Sequence, residues 1–460
     1  MDIGIRNQID LKDRKVTVIG AERSGIAASK LLIRLGAHVF LSEKKTTSGS
    51  YEDITGLESE GVVTEFGGHT ERIYDCDLMV VSPGVPQDAE ILINAADNGI
   101  PIVGEIELAS WFTNRPIVAV TGSNGKTTTT TILSEMCKQG SYKTFLAGNI
   151  GIPFSNIILE NLENEPQNAV YVLEISSFQM EYILHFKPQI AVLLNLTADH
   201  LDRYKSISDY AIAKMRIIEN MTQEDYIVFN DDDPVLCKWI ESPAQKAPFS
   251  LKKNPSAYFS VNETKIYNDK EEILIYLKDV SLPGKHNLSN FLAAATASKI
   301  LDIPQNGIQQ VIKTFRGVPH RIEFVRTLDD ADYFNDSKAT NMESVKVALD
   351  SFERPIILIL GGREKGADFK DLIPNAKDKV KLTITLGEAA AKIEKALSSQ
   401  FHCIQVNSME EAVKTARVKS EPGDIILLSP GCASFDMFTD FENRGEVFKE
   451  AVHQLDRDKS

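Results

Sequence analysis

One segment constrains the fold of this chain more than any other, and it is the run Thr121-Gly-Ser-Asn-Gly-Lys-Thr-Thr-Thr129. It follows the short apolar, β-branched stretch Pro116–Val120 and precedes a segment compatible with a helix from Thr127 to Lys138. A strand, a glycine turn, a Lys-Thr pair and a helix together form the arrangement that cradles the phosphates of a nucleoside triphosphate. The sequence therefore predicts an α/β domain that binds a triphosphate at this turn.

The residues of this loop have separate expected roles. Gly122 and Gly125 let the backbone turn tightly and aim its N–H groups at phosphate oxygens. Lys126 can reach the β- and γ-phosphates, and the Thr127 hydroxyl can ligate Mg²⁺. The common pattern G-x-x-x-x-G-K-[ST] is not met, because its first glycine would fall at Val120, and this departure argues against the motor and switch NTPases. The structural alternative is a Gly/Thr-rich turn with an incidental lysine.

The bulk composition is that of an ordinary globular chain. Its 460 residues suffice for about two to four domains, and its 43% apolar and 25% charged residues are typical values. A formal net charge of −15 argues against nonspecific binding to nucleic acid or anionic lipid. The five cysteines form no C-x-x-C pair, the amino terminus does not look like a signal peptide, and no apolar run approaches the roughly 20 residues of a membrane span. We therefore expect a cytoplasmic protein without membrane insertion.

Alternating strands and helices predict three consecutive α/β domains with parallel sheets. Between Ser256 and Val280 the pattern changes to alternation of apolar and polar residues, which predicts a β-rich excursion. The acidic triplet Asp231–Asp233 is expected to be a solvated turn. The strands that we expect are Val16–Ile19, His38–Leu41 and Leu78–Val81 in the first domain, Ile117–Val120, Val170–Leu173, Ile190–Leu194 and Tyr226–Phe229 in the second, and Ile356–Leu360, Leu382–Thr385 and Asp424–Leu428 in the third.

The first glycine turn, Gly20-Ala-Glu-Arg-Ser-Gly25, is a weak match to the dinucleotide pattern G-x-G-x-x-G. Glu22 occupies the second glycine position, where a carboxylate would crowd and repel a pyrophosphate. An NAD-dependent oxidoreductase is therefore disfavoured. Binding of a nucleotide-sugar diphosphate with looser geometry stays open.

Three residues of the second domain are candidates for a metal site, and each has an ordinary alternative. Glu174 ends a strand beside the phosphate loop and could hold Mg²⁺, or it could be an exposed strand-end acid. His200 could ligate a metal or be an ordinary loop histidine. From composition alone, Lys214 is expected to be a solvated helix lysine.

The third domain offers a candidate ligand-binding turn. Asp336 and Lys338 alternate with small polar residues before a predicted helix, as residues at a binding turn do, and a plain helix cap is the alternative. Arg321 lies at a predicted domain junction and could clamp a phosphate or a carboxylate with two hydrogen bonds.

In this order, the segments resemble the Mur ligases of peptidoglycan synthesis. The resemblance extends from about Lys15 to Phe448, and the segments that carry it are Thr121–Thr127, Glu174–Gln179, Thr197–His200, Ala213–Arg216, Gly284–Asn287, Pro319–Arg321 and Asn335–Thr340. Further segments resemble the family member that adds D-glutamate to UDP-N-acetylmuramoyl-L-alanine. They are Gly20–Gly25, Ser82–Gly84, Gly361–Asp368, Ser429–Asp436 and Phe441–Gly445.

The resemblance implies a fold and a reaction. The fold would comprise a Rossmann-like domain for the uridine nucleotide (1–112), a central ATPase-like domain with the phosphate loop (113–317) and a Rossmann-like domain for the amino acid (318–460). ATP would phosphorylate the L-alanyl carboxylate with the help of two Mg²⁺ ions, giving an acyl phosphate. The amine of D-glutamate would then attack, and ADP and phosphate would be released. A monomer is expected.

The resemblance also implies site residues. ATP would contact Gly122, Ser123, Asn124, Gly125, Lys126, Thr127, Thr128, Asn287, Arg321, Asp336 and Lys338. Thr127 and Glu174 would hold one Mg²⁺, and His200 and a carbamylated Lys214 would hold the second. Catalysis would depend on Lys126, Glu174, His200, Lys214 and Lys338. The uridine-muramoyl substrate would contact Ser24, Lys44, Ser82, Gly84 and Asn149, and D-glutamate would contact Thr340, Lys365, Ser434, Phe435 and Phe441.

Three other interpretations compete with this one. A relative could add another amino acid, such as L-alanine or a diamino acid, although the contexts of Lys365 and Ser434 argue against it. A folylpolyglutamate synthase would share the central loop but lack the first α/β domain. A nucleotide-sensing switch is disfavoured by the third α/β domain and by the missing Asn-Lys-x-Asp motif.

Overall fold

The structure is a computed structural model that describes residues 9–46, 51–197, 203–204, 206–282, 284–364 and 368–455. The chain folds into two compact units. The first comprises Met1–Val280 with Lys285–Thr314, and the second comprises Ser281–Gly284 with Phe315–Ser460. The first unit contains two α/β domains and the second contains one, so the predicted fold class is confirmed.

The amino-terminal domain is a parallel sheet with helices on its faces. Its strands are β1 (Lys15–Ile19), β2 (His38–Glu43), β3 (Val63–Phe66), β4 (Leu78–Val81) and β5 (Ile102–Gly104). Its helices are α1 (Arg23–Arg34), α2 (Tyr51–Ser59), α3 (Glu90–Asp97) and α4 (Glu105–Ser110), with a 3₁₀ turn at Glu71–Tyr74. Within the described residues the strand order is β3-β2-β1-β4-β5. The central strand β4 is apolar and buried, and β1 is buried from Val16 to Ile19, as expected of parallel strands between two helical layers.

The central domain is a larger sheet. Its strands are β6 (Ile117–Thr121), β7 (Lys143–Gly148), β8 (Ala169–Glu174), β9 (Ile190–Leu193), β10 (Tyr226–Asn230), β11 (Gln245–Phe249), β12 (Phe259–Val261), β13 (Lys265–Asn268) and β14 (Ile273–Tyr276). Its helices are α5 (Lys126–Lys138), α6 (Phe154–Asn161), α7 (Ser177–Met180), α8 (Ile207–Met215), α9 (Pro234–Cys237), α10 (Lys285–Ile300) and α11 (Gln305–Thr314), with 3₁₀ turns at Arg216–Ile218 and Leu277–Asp279. The strand order in the described part is β14-β13-β12-β11-β10-β9-β6-β8-β7. Strands β12 to β14 are antiparallel, which confirms the predicted β-rich excursion.

The carboxyl-terminal domain is a mixed sheet. Its strands are β15 (Glu323–Leu328), β16 (Ala331–Asn335), β17 (Ile356–Gly361), β18 (Val380–Leu386), β19 (Cys403–Gln405) and β20 (Ile425–Leu428). Its helices are α12 (Met342–Asp350), α13 (Ile373–Ala376), α14 (Ala390–Leu397), α15 (Met409–Lys419) and α16 (Phe441–Gln454), with a 3₁₀ turn at Phe369–Leu372. For the residues described, the order is β15-β16-β20-β17-β18-β19, and only the β15–β16 pair is antiparallel.

The first two domains share buried polar contacts along α4. The fully buried Glu107 carboxylate accepts hydrogen bonds from the backbone N–H groups of Leu184, His185 and Phe186, at 2.7 to 2.9 Å, and from Trp111 Nε1 at 2.6 Å. A carboxylate that accepts several backbone N–H groups compensates for its removal from water. The linking helix is therefore fastened to the segment that leads into β9.

Every strand that we expected is present. The strands that the pattern missed include β3 and β19, which are partly exposed edge strands and therefore lack an apolar run. The acidic triplet begins in a turn, where Asp231 is exposed as expected, but the next two carboxylates are partly buried: Asp232 accepts from Ser250 Oγ and Leu251 N, and Asp233 caps α9. These carboxylates supply acceptors where backbone donors would otherwise have none. Among the helices that the structure describes, none combines the length and the apolar character needed to cross a bilayer.

Candidate active site

The phosphate loop lies between β6 and α5, and its two glycines are required for different reasons. Gly125 has φ +84°, and a Cβ there would stand 2.5 Å from Asn290 Oδ1 on α10. A Cβ on Gly122 would meet Leu194 Cβ at 2.9 Å. Glycine is therefore required at 125 because the backbone there is left-handed, and at 122 because a side chain would collide with Leu194. The predicted ATP contact Asn287 lies on α10 as well, one helical turn before Asn290.

The segment after β9 holds the loop in place. Ser123 Oγ donates to Thr197 O at 3.0 Å and accepts from Thr197 N at 3.0 Å. Asn124 N donates to Asn195 Oδ1 at 2.8 Å, and Asn195 Nδ2 donates back to Asn124 O at 3.0 Å. Asn195 was not among the predicted site residues. Its position just before the Thr197–His200 segment was the only signal for it in the sequence.

Lys126 closes the loop with its side chain. Its Nζ donates to Gly122 O and Ser123 O, each at 2.9 Å. Thr127 and Thr128 are buried in the first turn of α5. A helix N-terminus beside a lysine ammonium is a site for anionic oxygens, because both the helix dipole and the charge favour them.

Glu174 lies at the carboxyl end of β8, where Val120 of β6 is its partner in the sheet. Its side chain is 2% exposed, so the alternative of an exposed strand-end acid is wrong. Oε1 accepts from Asn149 Nδ2 at 2.8 Å, whereas Oε2 is buried without a hydrogen-bond partner among the described residues. Such an oxygen is costly to bury, and it is the kind of hard ligand that Mg²⁺ takes. The side chains here fit a divalent cation.

Lys214 is buried at the start of the same loop. It is 1% exposed, and its Nζ donates to Gly122 O at 3.1 Å and to Thr121 Oγ1 at 3.4 Å. The ammonium also lies 4.6 Å from the centre of the Tyr210 ring, one turn earlier on α8. The solvated lysine expected from composition is therefore wrong. The reason is that Tyr210 and Lys214, one turn apart, lie on the face of α8 that packs against the end of β6.

His200 and Lys365 lie outside the described residues, so their roles stay predictions. In the described ranges, no group of three or more His, Cys, Asp or Glu side chains is placed to hold a metal ion.

The first glycine turn brings several predicted contacts of the uridine substrate together. Gly20 has φ +96°, and a Cβ on Gly25 would stand 1.8 Å from Gly20 O. Ser24 lies in the first turn of α1, and Ser82 Oγ donates to Gly20 O at 3.2 Å. Gly84 follows two residues later, and exposed Lys44 follows β2. Asn149 lies instead beside the phosphate loop, where its backbone N donates to Glu174 O at 2.8 Å.

Two carboxylates surround this first turn. Glu43 is buried and accepts from Ala21 N and from Lys45 N, each at 2.9 Å. Glu22 is exposed and forms an ion pair with Lys45 Nζ at 3.1 Å. One N–H group of the turn is therefore already paired within the protein, and the carboxylate of Glu22 is compensated by a surface lysine.

In the second unit, Asp336 follows β16 at the carboxyl end of the sheet. It accepts from Ser429 Oγ at 2.7 Å and from Ile322 N at 3.2 Å. Burial raises the pKa of Asp336 to about 7, and the bond from Ser429 and the charge of Arg321 oppose that rise. Arg321 Nε is buried without a hydrogen-bond partner in the described residues. It follows His320, whose φ of +63° is strained for a residue with a side chain.

A buried arginine that we had not predicted holds the neighbouring loops. Arg444 is 2% exposed, and it donates from Nε to Ser337 Oγ at 2.9 Å and from Nη2 to Ser337 O at 2.7 Å. Its Nη1 donates to Cys432 O at 3.0 Å. Ser337 Oγ in turn donates to Phe441 O at 2.8 Å. Burial lowers the pKa of Arg444 to about 10. Arg444 thus fastens the loops after β16 and β20 to the start of α16.

The predicted D-glutamate contacts lie in these loops. Thr340 follows Lys338, whose Nζ is 5.5 Å from the centre of the Phe441 ring. Ser434 is buried after β20, and Phe435 beside it is 62% exposed. The described members of this set are therefore gathered at one end of one sheet.

Comparisons with known proteins now identify the class. The chain matches models of the MurD N-terminal domain at residues 15–91, the Mur ligase middle domain at 120–298 and the Mur ligase glutamate ligase domain at 320–432. The chain belongs to the Mur ligase family, which places it among the ATP-dependent ligases that form amide bonds.

The individual relatives are more specific. UDP-N-acetylmuramoylalanine--D-glutamate ligase of Salinibacter ruber is 41% identical over 97% of this chain and 99% of its own. The proteins of the same name from Chloroherpeton thalassium and Clostridioides difficile are each 40% identical over 97% of this chain, and over 99% and 100% of their own.

Solved structures share the fold. The UDP-N-acetylmuramate-alanine ligase MurC of Thermotoga maritima has a TM-score of 0.58 at 18% identity, covering 97% of this chain and 100% of its own. The MurF ligase of the same organism in complex with ADP has a TM-score of 0.59 at 17% identity, covering 98% of each chain. At this identity they support the architecture alone.

Proposed function

We propose that the chain adds D-glutamate to UDP-N-acetylmuramoyl-L-alanine through an acyl phosphate made with ATP, as a step in the synthesis of peptidoglycan precursors. The observation that carries this proposal is the set of side chains around the phosphate loop. Lys126 and the buried Lys214 both donate to Gly122 O, and Glu174, on the strand next to β6, has an oxygen without a partner among the described residues. The name shared by relatives at about 40% identity supports the choice of substrates.

The first chemical problem is that a carboxylate is a poor electrophile until one of its oxygens becomes a leaving group. Phosphorylation solves it, and the transferring phosphoryl group needs charge neutralised and geometry fixed. Lys126 would exchange its bonds to Gly122 O and Ser123 O for phosphate oxygens, with little movement of the loop. The pairs that Ser123 and Asn124 form with the segment after β9 would keep the loop preorganised.

Mg²⁺ ions would be held by residues that border this loop. Thr127 and Glu174 Oε2 would ligate one ion, and His200 with a carbamate on Lys214 would ligate the second. Such ions neutralise phosphate charge during transfer. A carbamate would give Lys214 a carboxylate where its ammonium now contacts Thr121 and Gly122.

The remaining predicted residues would position the substrates. Asn287, Arg321, Asp336 and Lys338 would contact ATP, and Ser24, Lys44, Ser82, Gly84 and Asn149 would contact the uridine-muramoyl substrate. Thr340, Lys365, Ser434, Phe435 and Phe441 would contact D-glutamate. We place the reaction in the cytoplasm and expect a monomer, which size-exclusion chromatography with light scattering would test.

The decisive experiment measures phosphate release by the purified chain with ATP, Mg²⁺ and UDP-N-acetylmuramoyl-L-alanine. D-glutamate, L-glutamate, L-alanine and a diamino acid are supplied one at a time. We expect turnover with D-glutamate alone. Release with one of the other amino acids would reassign the specificity, and no release with any of them would refute the proposal.

A second experiment tests the carbamate. Lys214→Ala should lose nearly all turnover, and a short carboxylate such as acetate should restore part of it by occupying the same space. Intact mass in bicarbonate should show the added CO₂ on the unaltered chain. Full activity of Lys214→Ala without acetate would refute the role of Lys214 in holding the second ion.

A further inference from the structure

One arginine of the central domain contacts the substrate turn of the amino-terminal domain. Arg203 Nη1 donates to Pro83 O at 3.1 Å, and Nη2 donates to Val85 O at 3.0 Å. Pro83 and Val85 flank Gly84, and Val85 N donates to Ser82 O at 3.0 Å, which closes a β-turn. Arg203 therefore grips both sides of the turn that carries two of the predicted uridine-substrate contacts.

The guanidinium of Arg203 is also held by residues of the central domain. Its Nε donates to Glu181 Oε1 at 3.2 Å, its Nη2 also donates to Glu181 Oε2, and it stacks 4.5 Å from the centre of the Phe178 ring. The Arg203 side chain is 15% exposed and that of Glu181 is 4% exposed. Tyr204 donates its hydroxyl to Glu181 Oε1 at 2.7 Å. A bidentate, stacked and largely buried arginine has little freedom, so it can serve as a rigid support.

Glu181 is itself linked to the phosphate loop. It directly follows α7, whose amino end has a capping box in which Ser176 and Gln179 exchange hydrogen bonds. That box begins two residues after Glu174 at the end of β8. Two more bonds join the residues just after α7 to the turn and the segment that follows it: Tyr182 donates its hydroxyl to Val85 O at 3.0 Å, and Gln87 Nε2 donates to Glu181 O at 2.9 Å.

We infer that Arg203 is a positioning residue, which holds the Ser82–Val85 turn at a fixed distance from Glu174 so that the muramoyl end of the substrate meets the phosphate loop. The inference rests on the proposed function, because it concerns the same substrate. Ser82 and Gly84 would contact the diphosphate, and Arg203 would set their place without touching the substrate itself. An arginine suits this role because the carbonyls of Pro83 and Val85 both need a hydrogen-bond donor, and one rigid guanidinium supplies both N–H groups.

The test compares Arg203→Lys with Arg115→Lys. Arg115 is a matched control in the same unit, because it is also a partly buried arginine paired with a glutamate, Glu165, at 3.3 Å. It precedes β6, at the end of that strand opposite the phosphate loop. A lysine at 203 keeps the charge but cannot grip two carbonyls and Glu181 together.

We expect Arg203→Lys to raise the KM for UDP-N-acetylmuramoyl-L-alanine about 10-fold, with the KM values for ATP and D-glutamate changed less than about twofold. Arg115→Lys should leave all three KM values unchanged. An unchanged KM for the uridine substrate in Arg203→Lys, or an equal rise of all three, would overturn the inference. The second result would mean that the arginine has only a structural role.

A second variant and a binding measurement complete the test. Should Arg203→Lys fail to fold, Tyr182→Phe removes one bond to Val85 O, and a rise of the same KM by about twofold is expected; no rise would count against the inference. Calorimetric titration of UDP-N-acetylmuramoyl-L-alanine without ATP separates the two proposals. If the unaltered chain binds this substrate but shows no turnover, the proposed function fails, whereas weaker binding by Arg203→Lys would still support the positioning role.

Discussion

The first unit contains two glycine turns that each include a left-handed glycine but have very different surroundings. One follows β1 and leads into α1, and the other follows β6 and leads into α5. Gly20 and Gly125 both have a left-handed backbone, with φ of +96° and +84°. Each turn lies at the carboxyl end of a central parallel strand, beside a helix N-terminus, which is where α/β proteins bind phosphates.

The side chains next to each turn differ in charge and in hydrogen bonding. At the first turn, Glu43 already accepts from Ala21 N, and the exposed Glu22 pairs with Lys45. At the second turn, Lys126 donates to the loop carbonyls of Gly122 and Ser123, and Glu174 has a buried oxygen without a partner in the described residues. The backbone of such a turn can hold phosphate at either place. We propose that phosphoryl transfer depends on Lys126 and Glu174, which border the second turn.

Of the changes at the two turns, removal of the Lys126 ammonium should have the largest effect. Lys126→Met should lower turnover by about 10³-fold, because the charge that develops on the transferring phosphoryl group loses its main protein partner. The matched control is Lys45→Met, which removes a lysine beside the first turn and should change turnover less than about twofold. Phosphate release under saturating substrates measures both. Near-normal turnover of Lys126→Met would refute its assignment.

The next effect concerns Glu174, whose Oε2 has no hydrogen-bond partner among the described residues. Glu174→Gln should lower turnover by about 10²-fold and shift activity to higher Mg²⁺ concentration, since an amide oxygen is a weaker ligand than a carboxylate. A Mg²⁺ titration of activity gives the shift. Glu43→Gln is the control, because its amide oxygen can still accept from Ala21 N, and its Mg²⁺ dependence should equal that of the unaltered chain. Equal Mg²⁺ curves for all three proteins would contradict the metal-binding role.

Replacing one glycine in each turn by alanine should affect the binding of a different substrate in each case. Gly25→Ala places a Cβ against Gly20 O, and Gly125→Ala combines a left-handed backbone with a contact to Asn290. Each should lower the free energy of unfolding by about 1–3 kcal/mol, as measured by urea denaturation. Gly25→Ala should raise mainly the KM for the uridine substrate, and Gly125→Ala mainly that for ATP. Equal changes of both KM values in each variant would mean that the turns do not bind separate substrates.

The smallest expected effect comes from the charge at the second position of the first turn. Glu22→Gln keeps the size of the side chain but removes its repulsion of a diphosphate, so the KM for UDP-N-acetylmuramoyl-L-alanine should fall by about twofold at low salt. The difference should vanish at high ionic strength because the group is exposed. A KM that rises instead would show that the carboxylate assists binding, for example by orienting Lys45.

The sequence predicted the central strands and the phosphate loop because their signals are local. Apolar β-branched runs mark β1, β6 and β17, and the glycine spacing marks the loop. The burial of Lys214 was not predictable from composition, because a solvated and a buried helix lysine look alike until α8 is packed against β6. The family resemblance alone had singled it out.

The supporting residues were missed for a related reason. Arg203 contacts Pro83, a residue 120 positions earlier in the chain, and Arg444 contacts Ser337, 107 positions earlier. Nothing near either arginine in sequence indicates its partners, which are backbone carbonyls as often as side chains. Only the folded arrangement reveals which carbonyls need a donor.

The carboxylate of Glu107 has a consequence for dissecting the chain into fragments. A fragment that begins at residue 113 would lack Glu107. The backbone N–H groups of Leu184, His185 and Phe186, just before β9, would then lose the carboxylate that accepts their hydrogen bonds. Asn195, which is hydrogen-bonded to the phosphate loop, follows β9 by two residues. A fragment without Glu107 should therefore bind nucleotide more weakly, even though it retains every residue of the loop. Fragments meant to bind ATP should therefore keep α4.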